Sequence, residues 1–277
     1  MNLKKFSLQN KNAIITGGAG LLGFEHCIAL LELGATVWIV DINKQKLVET
    51  KLNLFKNFPK KNINTKIIDI TNEKNLIKFS KYLDSKSIEI DILINNAAID
   101  PKISDKIENF EGSRFENFSL QDWNSQINVG LTGAFLCSKI FGHKMATNNK
   151  GGIILNVASD LSVIAPDNRL YRANNLDEKY QPVKPVAYSV VKTGLIGLTK
   201  YLSSYWANKN IRCNALSPGG IYNNQDEVFV NRLQKLIPMG RMAMKEEYRS
   251  SVQFLCSDAS SYMTGQNIVI DGGRSII

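Results

Sequence analysis

Tyr188 and Lys192 stand four positions apart in a stretch, 186–208, whose apolar residues recur at three- and four-residue intervals, the pattern of a helix. On a helix the two share a face, so the lysine ammonium can approach the phenol. A free tyrosine keeps its proton up to a pKa of about 10, and a neighbouring cation favours the phenolate, moving the group toward the range useful for proton transfer. Tyr188 is therefore the candidate acid and base, with Lys192 beside it.

A second constellation is Thr16-Gly17-Gly18-Ala19-Gly20-Leu21-Leu22-Gly23, which follows an apolar run and opens a helical pattern. In that setting glycines permit a tight turn, close backbone approach to a pyrophosphate and close helix–strand packing, while the helix N-terminus offers unpaired N–H groups to the anion. Gly17, Gly20, Leu21, Leu22 and Gly23 are the candidate pyrophosphate contacts. Asp41 ends the next apolar run, 18 positions beyond Gly23. A carboxylate there accepts hydrogen bonds from an adenosine ribose and repels a 2′-phosphate. No basic residue lies in the turn or directly after Asp41, so NAD(H) is expected over NADP(H). The competing readings are a glycine turn without a ligand and an Asp41 that caps the following helix.

Short β-branched runs at 12–16, 35–41, 64–69, 90–95, 152–158, 211–216 and 267–271 alternate along the chain with helical stretches near 21–33, 44–57, 73–86, 120–147, 186–208, 226–236 and 245–256. This rhythm predicts an α/β fold, a doubly wound, seven-stranded parallel sheet with helices on both faces, in which ligands bind beyond the carboxyl ends of the strands. One domain spanning 1–277 is expected. Two connections, Ala97 to Ser119 and Asp160 to Pro185, are longer than simple links and are candidates for function.

Composition narrows the classes. Hydrophobic residues make up 44% and charged residues 21%, values of an ordinary globular chain. The net charge of +9 comes from lysines spread along the chain rather than stacked on one face, so a nucleic-acid partner is not expected. No apolar run reaches the ~18–20 residues that cross a bilayer, and the start lacks the apolar stretch of a signal peptide, so a cytoplasmic protein without membrane association is expected. Cys27, Cys137, Cys213 and Cys256 lack metal or redox spacing and read as reduced and structural. His26 and His143 have no metal-ligand neighbours, and no metal is expected.

Thr16 to Gly23, Asp69-Ile70, Asn95-Asn96-Ala97-Ala98, Tyr188-Ser189-Val190-Val191-Lys192 and Ser217-Pro218-Gly219-Gly220 together resemble, in order and approximate spacing, the short-chain dehydrogenases/reductases, over nearly the whole chain. The resemblance implies a Rossmann fold and hydride exchange with a nicotinamide while Tyr188 exchanges the hydroxyl proton. It implies that Ser159, Tyr188 and Lys192 are catalytic, that Lys192 also meets the ribose, and that Asp69 and Ile70 flank the adenine. It places Asn96, Ala97 and Ala98 at the adjacent ribose and Pro218 with Gly219 at the nicotinamide end. A homo-oligomer, dimer or tetramer, is expected.

Three departures stand out. The glycine spacing, with Leu21 where single-domain members have glycine, is more like extended relatives that act on nucleotide sugars, so an NAD-retaining epimerase or dehydratase is the alternative enzyme. Gly130 takes the place of the family's active-site asparagine, and Asn128 is turned about 200° away on a helix; a non-catalytic NAD-binding scaffold is the second alternative. Ser159 and Tyr188 are 29 positions apart, about sixteen more than in simple members. That insertion, at about 160–185, carries Arg169, Tyr171, Arg172, Lys179 and Lys184, of which Arg169, Tyr171 and Arg172, with Ser159, are the candidate substrate contacts, suited to an anionic group. Ser162 is the fallback for Ser159. The segments 131–139, 158–166 and 238–242 are similar to the flagellin modification protein A oxidoreductases of nonulosonate pathways, which implies a small sugar or amino-sugar derivative as substrate.

Overall fold

The computed structural model describes residues 3–100, 111–148, 150–174 and 176–277. Seven strands, β1 (Asn12–Thr16), β2 (Thr36–Asp41), β3 (Ile63–Ile67), β4 (Ile92–Asn95), β5 (Gly152–Val157), β6 (Ile211–Pro218) and β7 (Asn267–Ile270), pair in the order β3-β2-β1-β4-β5-β6-β7. Every pairing is parallel. Such a sheet is covered on both faces, so its strands are apolar throughout rather than alternating. In β2, Val37 and Ile39 face one core while Trp38 and Val40 face the other.

The first core packs α1 (Leu21–Glu32), α2 (Lys44–Leu54) and α9 (Arg249–Leu255) against the sheet. The second packs α3 (Glu73–Ser85), α7 (Val186–Tyr205) and the later part of a helical run in which α4 (Leu120–Ile127), outside this core, leads to α5 (Gly133–Cys137) and α6 (His143–Thr147). α8 (Glu227–Gln234) lies outside both, on a small cluster of its own. Short polar side chains start the helices: Asn43 accepts from Lys46 N, Asn72 from Asn75 N, Ser119 from Asp122 N, and Asp226 from Val228 N and Phe229 N.

The expected elements are all present, with shifted ends. β3 stops at Ile67, so Ile68, Asp69 and Ile70 belong to the loop that faces the site, and β6 runs on to Pro218. The expected helix 245–256 is a 3-10 turn, Lys245–Tyr248, followed by α9. The expected helix 120–147 contains two π turns, Asn128–Thr132 and Ser138–Gly142. Each π turn coincides with a close approach made through glycine. A Cβ on Gly142 would lie 2.5 Å from the Trp206 ring, and one on Gly130 would lie 2.5 Å from Val191 Cγ1 on α7. Gly130 is thus required by packing, which explains why the family asparagine is missing.

All four cysteines are buried and free. His26, expected at a helix surface or partly buried, is wholly buried, and His143 is exposed. No helix among the described residues is long and apolar enough to cross a membrane.

Introducing the family residue by Gly130→Asn should force Val191 and its helix outward and lower stability by roughly 1–3 kcal/mol. Chemical denaturation checks this. The loss should shrink when Val191→Ala is added, and an unchanged midpoint in the single variant would refute the packing argument.

Candidate active site

The turn after β1 is shaped by its neighbours. Gly17 has φ +59°, and a Cβ there would meet Ala97 Cα at 2.7 Å; a Cβ on Gly23 would meet Gly17 O at 2.2 Å. Gly20 differs, since its Cβ would meet nothing closer than Gly17 O at 3.2 Å. Gly20 is the N-cap of α1 and no side chain caps that helix. Bare N–H groups behind an open glycine make an anion cradle. Leu21 is the first residue of the helix and partly exposed, so glycine is not needed there.

Asp41 does not cap α2, because Asn43 does. Its Oδ2 accepts from Ala19 N at 3.2 Å and its Oδ1 from Asn43 N at 2.9 Å, which holds the carboxylate beside the glycine turn. Each oxygen keeps a lone pair for a ligand hydroxyl. Asp69 is fixed through Oδ1 by Thr71 N and Thr71 Oγ1, and Ile70 is buried against the position of Gly133. Asn96 Nδ2 donates to the carbonyls of Thr16 and Gly17, both at 3.0 Å, while Thr16 Oγ1 accepts from Asn96 N and Ala97 N. Ala98 is exposed next to them. At the far side Gly219 N donates to Ile270 O, and a Cβ on Gly219 would strike Asp271 Cα at 2.7 Å, so the chain after Pro218 turns tightly.

Ser159, Tyr188 and Lys192 come together at the carboxyl end of β5. Ser159 lies near enough to the Tyr188 phenol to favour its ionisation, and its Oγ donates to Asp160 Oδ1 at 2.8 Å. Lys192 Nζ donates to Val157 O at 2.8 Å and stands 5.6 Å from the Tyr188 ring centroid. Ser162 instead bonds Ser217 at 3.1 Å, so Ser159 keeps its place. The expected lowering of the phenol is reversed in this structure. Burial pushes Tyr188 above the ordinary tyrosine value, the Asp100 carboxylate adds to this, and the Ser159 hydroxyl only opposes it. Lys192 cannot overcome these effects, being turned to a carbonyl and itself pushed down to about 8 by burial.

The insertion folds as three short turns, Asp160–Ser162, Asn168–Tyr171 and Glu178–Tyr180, and bonds to the loop after β4. Arg114 Nη1 donates to Glu178 O at 2.9 Å and Val183 N to Ser113 Oγ at 3.0 Å. Residues 101–110 of that loop, and Asn175 of the insertion, lie outside the described residues. Tyr171 is brought to the site. Its phenol is pushed up to about 12 by burial, with Asp100, Arg274 and Asp160 close enough to act on it. Arg169 and Arg172 are not brought to the phenol. Arg169, 81% exposed, pairs with Asp167 at 2.8 Å, and Arg172 pairs with Glu178.

Lys184, which the sequence places on the insertion but not among the site residues, is the cation that reaches the centre. Its Nζ sits 3.9 Å from the Tyr188 ring centroid and 2.7 Å from Asp100 Oδ1, and its side chain is 12% exposed. Its place four residues before Tyr188 was the available signal. Asp100 and Asp160 carried no such signal.

Comparison with known proteins agrees with this geometry. Residues 19–275 match the family model described as Enoyl-(Acyl carrier protein) reductase. The NAD-dependent glycerol dehydrogenase of Listeria innocua is 32% identical over 99% of this chain and 97% of its own length. The post-translational flagellin modification protein A of Campylobacter coli is 29% identical over 96% and 98%, so overall identity does not single out that subgroup. A short-chain dehydrogenase from Leptospira borgpetersenii, solved with bound NAD+, superposes with TM-score 0.83 at 31% identity, covering 99% of this chain and 96% of that one. A gluconate 5-dehydrogenase from Burkholderia cenocepacia, in complex with NADP and tartrate, gives 0.84 at 25% identity over the whole of both chains. Identity at this level from end to end, on the same sheet, makes the chain a member of the short-chain dehydrogenase/reductase family, an oxidoreductase acting between alcohol and ketone.

Proposed function

We propose that the protein uses NAD(H) to interconvert a secondary hydroxyl and a ketone on a small, anionic, polyhydroxylated substrate, a sugar or amino-sugar derivative. The observation that carries this reading is the meeting of Ser159, Tyr188 and Lys192 at the same edge of the sheet as the uncapped glycine turn. Gly17, Gly20, Leu21, Leu22 and Gly23 would hold the pyrophosphate and Asp41 the adenosine ribose. Asp69, Ile70, Asn96, Ala97 and Ala98 would line the adenosine half, and Pro218 with Gly219 the nicotinamide end. When bound, the nicotinamide supplies the acceptor or donor of hydride.

The chain's own residues handle the proton. In the reducing direction the Tyr188 hydroxyl gives its proton to the substrate oxygen, and in the oxidising direction the phenolate takes it back. Lys192, anchored by Val157 O and lowered to about 8, holds positive charge beside the phenolate and exchanges its own proton near neutral pH. Tyr171 and Lys184 line the substrate side. Lys184 can trade its exposed partner Asp100 for a substrate carboxylate or phosphate, whereas Arg169 and Arg172 reach the substrate only by leaving Asp167 and Glu178. The flagellin-modification resemblance and the tartrate and gluconate named for the Burkholderia relative point to the same substrate class.

Three measurements test this reading. NADH should bind at least about tenfold tighter than NADPH, about 1.4 kcal/mol; Asp41→Asn keeps the acceptor for Ala19 N, removes the charge, and should narrow that ratio in fluorescence titration. Equal affinities in the unaltered protein would remove the assignment. Tyr188→Phe should cut turnover by roughly 10²–10⁴ with NADH affinity nearly unchanged, and ordinary turnover in that variant would sink the mechanism. On a panel of polyols, aldonates and sugar phosphates, Lys184→Met should raise KM about tenfold or more for anionic substrates and little for neutral ones. The pair Arg169→Ala and Arg172→Ala should do less. A Lys184→Met effect equal for neutral and anionic substrates would argue against an anion subsite.

A further inference from the structure

The end of the insertion, Gln181-Pro182-Val183-Lys184-Pro185, leads straight into α7. A residue before proline is disfavoured in the helical conformation, so Lys184 stays outside the helix, which starts at Val186 with Pro185 as its N-cap. The backbone here is pinned from two sides: Val183 N donates to Ser113 Oγ at 3.0 Å and Lys184 N to Asn168 Oδ1 at 3.2 Å. The lysine side chain is thereby directed inward. Its Nζ stands 2.7 Å from Asp100 Oδ1 and 3.9 Å from the Tyr188 ring centroid, and the side chain is 12% exposed. Lys192 is farther from the same centroid, at 5.6 Å, and its Nζ donates to Val157 O.

We propose that Lys184 is a second electrostatic partner of Tyr188: the insertion supplies, beside Lys192, a cation over the phenol ring that favours the phenolate and so strengthens the acid of the proton transfer. An ammonium over an aromatic face is attracted by the electrons of the ring. Loss of the phenol proton leaves a full negative charge on that ring and its oxygen, so the attraction is stronger after ionisation than before it. The ammonium therefore favours the ionised form. In the reducing direction the O–H bond of Tyr188 breaks as the substrate oxygen gains the proton, and the charge left on Tyr188 is the one that Lys184 meets. In the oxidising direction the same charge is present at the start. Lys184 itself neither gives nor takes a proton, and acts on the reaction through Tyr188 as a positioning residue.

The other groups around the phenol explain why one lysine is not enough. Tyr188 is faced by the carboxylates of Asp100 and Asp160, the ammoniums of Lys184 and Lys192, the Tyr171 phenol and the Ser159 hydroxyl. Burial does most to hold its proton, and the two carboxylates add to this. Asp160 is offset by Arg274, whose Nη1 stands 2.7 Å from its Oδ2, and Asp100 is offset by Lys184. Burial also holds Lys192 down to about 8, an effect that Asp100 opposes and Lys184 reinforces. Lys192 thus parts with its proton near neutral pH. Lys184 is then the cation left beside the phenol.

The inference rests on Tyr188 as the proton carrier, which the turnover of Tyr188→Phe tests separately, and not on any substrate, so its own test needs none. With 3,5-difluorotyrosine, a more acidic phenol, in place of Tyr188, the ¹⁹F signal of NAD-saturated protein follows the ionisation of that one ring. In this background Lys184→Met should ionise at higher pH by ~1 unit or more, and Lys184→Arg should stay near the parent. Asp100→Asn removes a like charge and should ionise at lower pH. If Lys184→Met alone does not fold, the double variant Lys184→Met with Asp100→Asn leaves neither partner of the pair charged and should ionise at higher pH than Asp100→Asn. No displacement in Lys184→Met, a displacement to lower pH, or an equal rise in Lys184→Met and Lys184→Arg, which marks lost packing rather than lost charge, would overturn the proposal. The expected displacements together with a Lys184→Met effect on KM that is equal for neutral and anionic substrates would overturn the anion subsite and leave this inference standing. An unmoved phenol with an anion-selective rise in KM would do the reverse.

Discussion

The backbone after β1 lies against the backbone after β4, and the rest of the site depends on that contact. β1 is hydrogen-bonded to β2 on one side and β4 on the other, so the chain leaves the sheet in opposite directions on the two sides and a crevice opens between. Gly17 closes to within a missing Cβ of Ala97, and Asn96 spends both amide hydrogens on the carbonyls of Thr16 and Gly17. Those bonds satisfy carbonyls that would otherwise be stranded at the turn. They also leave the N–H groups of the α1 terminus as the unsatisfied donors at the mouth. The row of free N–H groups is therefore a by-product of how tightly two strand ends are joined. Any side chain at Gly17 or Gly23 would separate them.

A second constraint is electrostatic. Tyr188 sits among two ammoniums and two carboxylates, and burial outweighs all of them in holding its proton. In water a charge pair at 4 Å is worth about 1 kcal/mol, and in a partly buried site several times that, so small rearrangements of these four groups change the proton affinity of the phenol substantially. The groups are not equally free to rearrange. Lys192 and Asp160 are buried and tied to a carbonyl and to Arg274, whereas the Asp100 side chain is 65% exposed. The fixed charges define the resting state of the phenol. The exposed carboxylate is the one free to move.

The fold was legible in the sequence because its signals are local. β-branched runs, helical periodicity and the Gly20–Leu21 junction each depend on a few adjacent residues, and the structure moves their ends and interrupts two of the helices. Ser159, Tyr188 and Lys192 were legible for the same reason, since strand end and helix face are short-range properties. What the sequence hid is made by long-range contact. Arg274 meets Asp160 across 114 positions and Lys184 meets Asp100 across 84, and neither spacing marks a pair. Gly130 was read as a loss of catalytic asparagine, whereas the cause lies in Val191, on another helix. Arg169 and Arg172 drew attention by charge, yet each had a carboxylate a few residues away to pair with, Asp167 and Glu178. Charge counted along an insertion does not reveal which cation remains unpaired by its own loop.

The insertion itself is held by apolar contact more than by its charges. Leu170 is buried with Leu233, Ile237 and Met242, and Tyr171 packs on Phe229 of α8 with ring centroids 5.5 Å apart. Arg232, also on α8, donates to the carbonyls of Leu170 and Arg172. Burying one leucine or isoleucine side chain is worth roughly 1.5–3 kcal/mol, whereas an exposed ion pair contributes ~0–1 kcal/mol. The apolar cluster therefore sets where the insertion sits, and the pairs Arg169–Asp167 and Arg172–Glu178 only decorate its outer face. Because that cluster is separate from the two cores that hold the sheet, the wall carrying Tyr171 takes its position from α8. Tyr188 and Lys192 take theirs from α7 and the second core. The two groups are therefore placed by separate apolar clusters, and Lys184, 3.9 Å from the Tyr188 ring centroid, is where the insertion meets Tyr188.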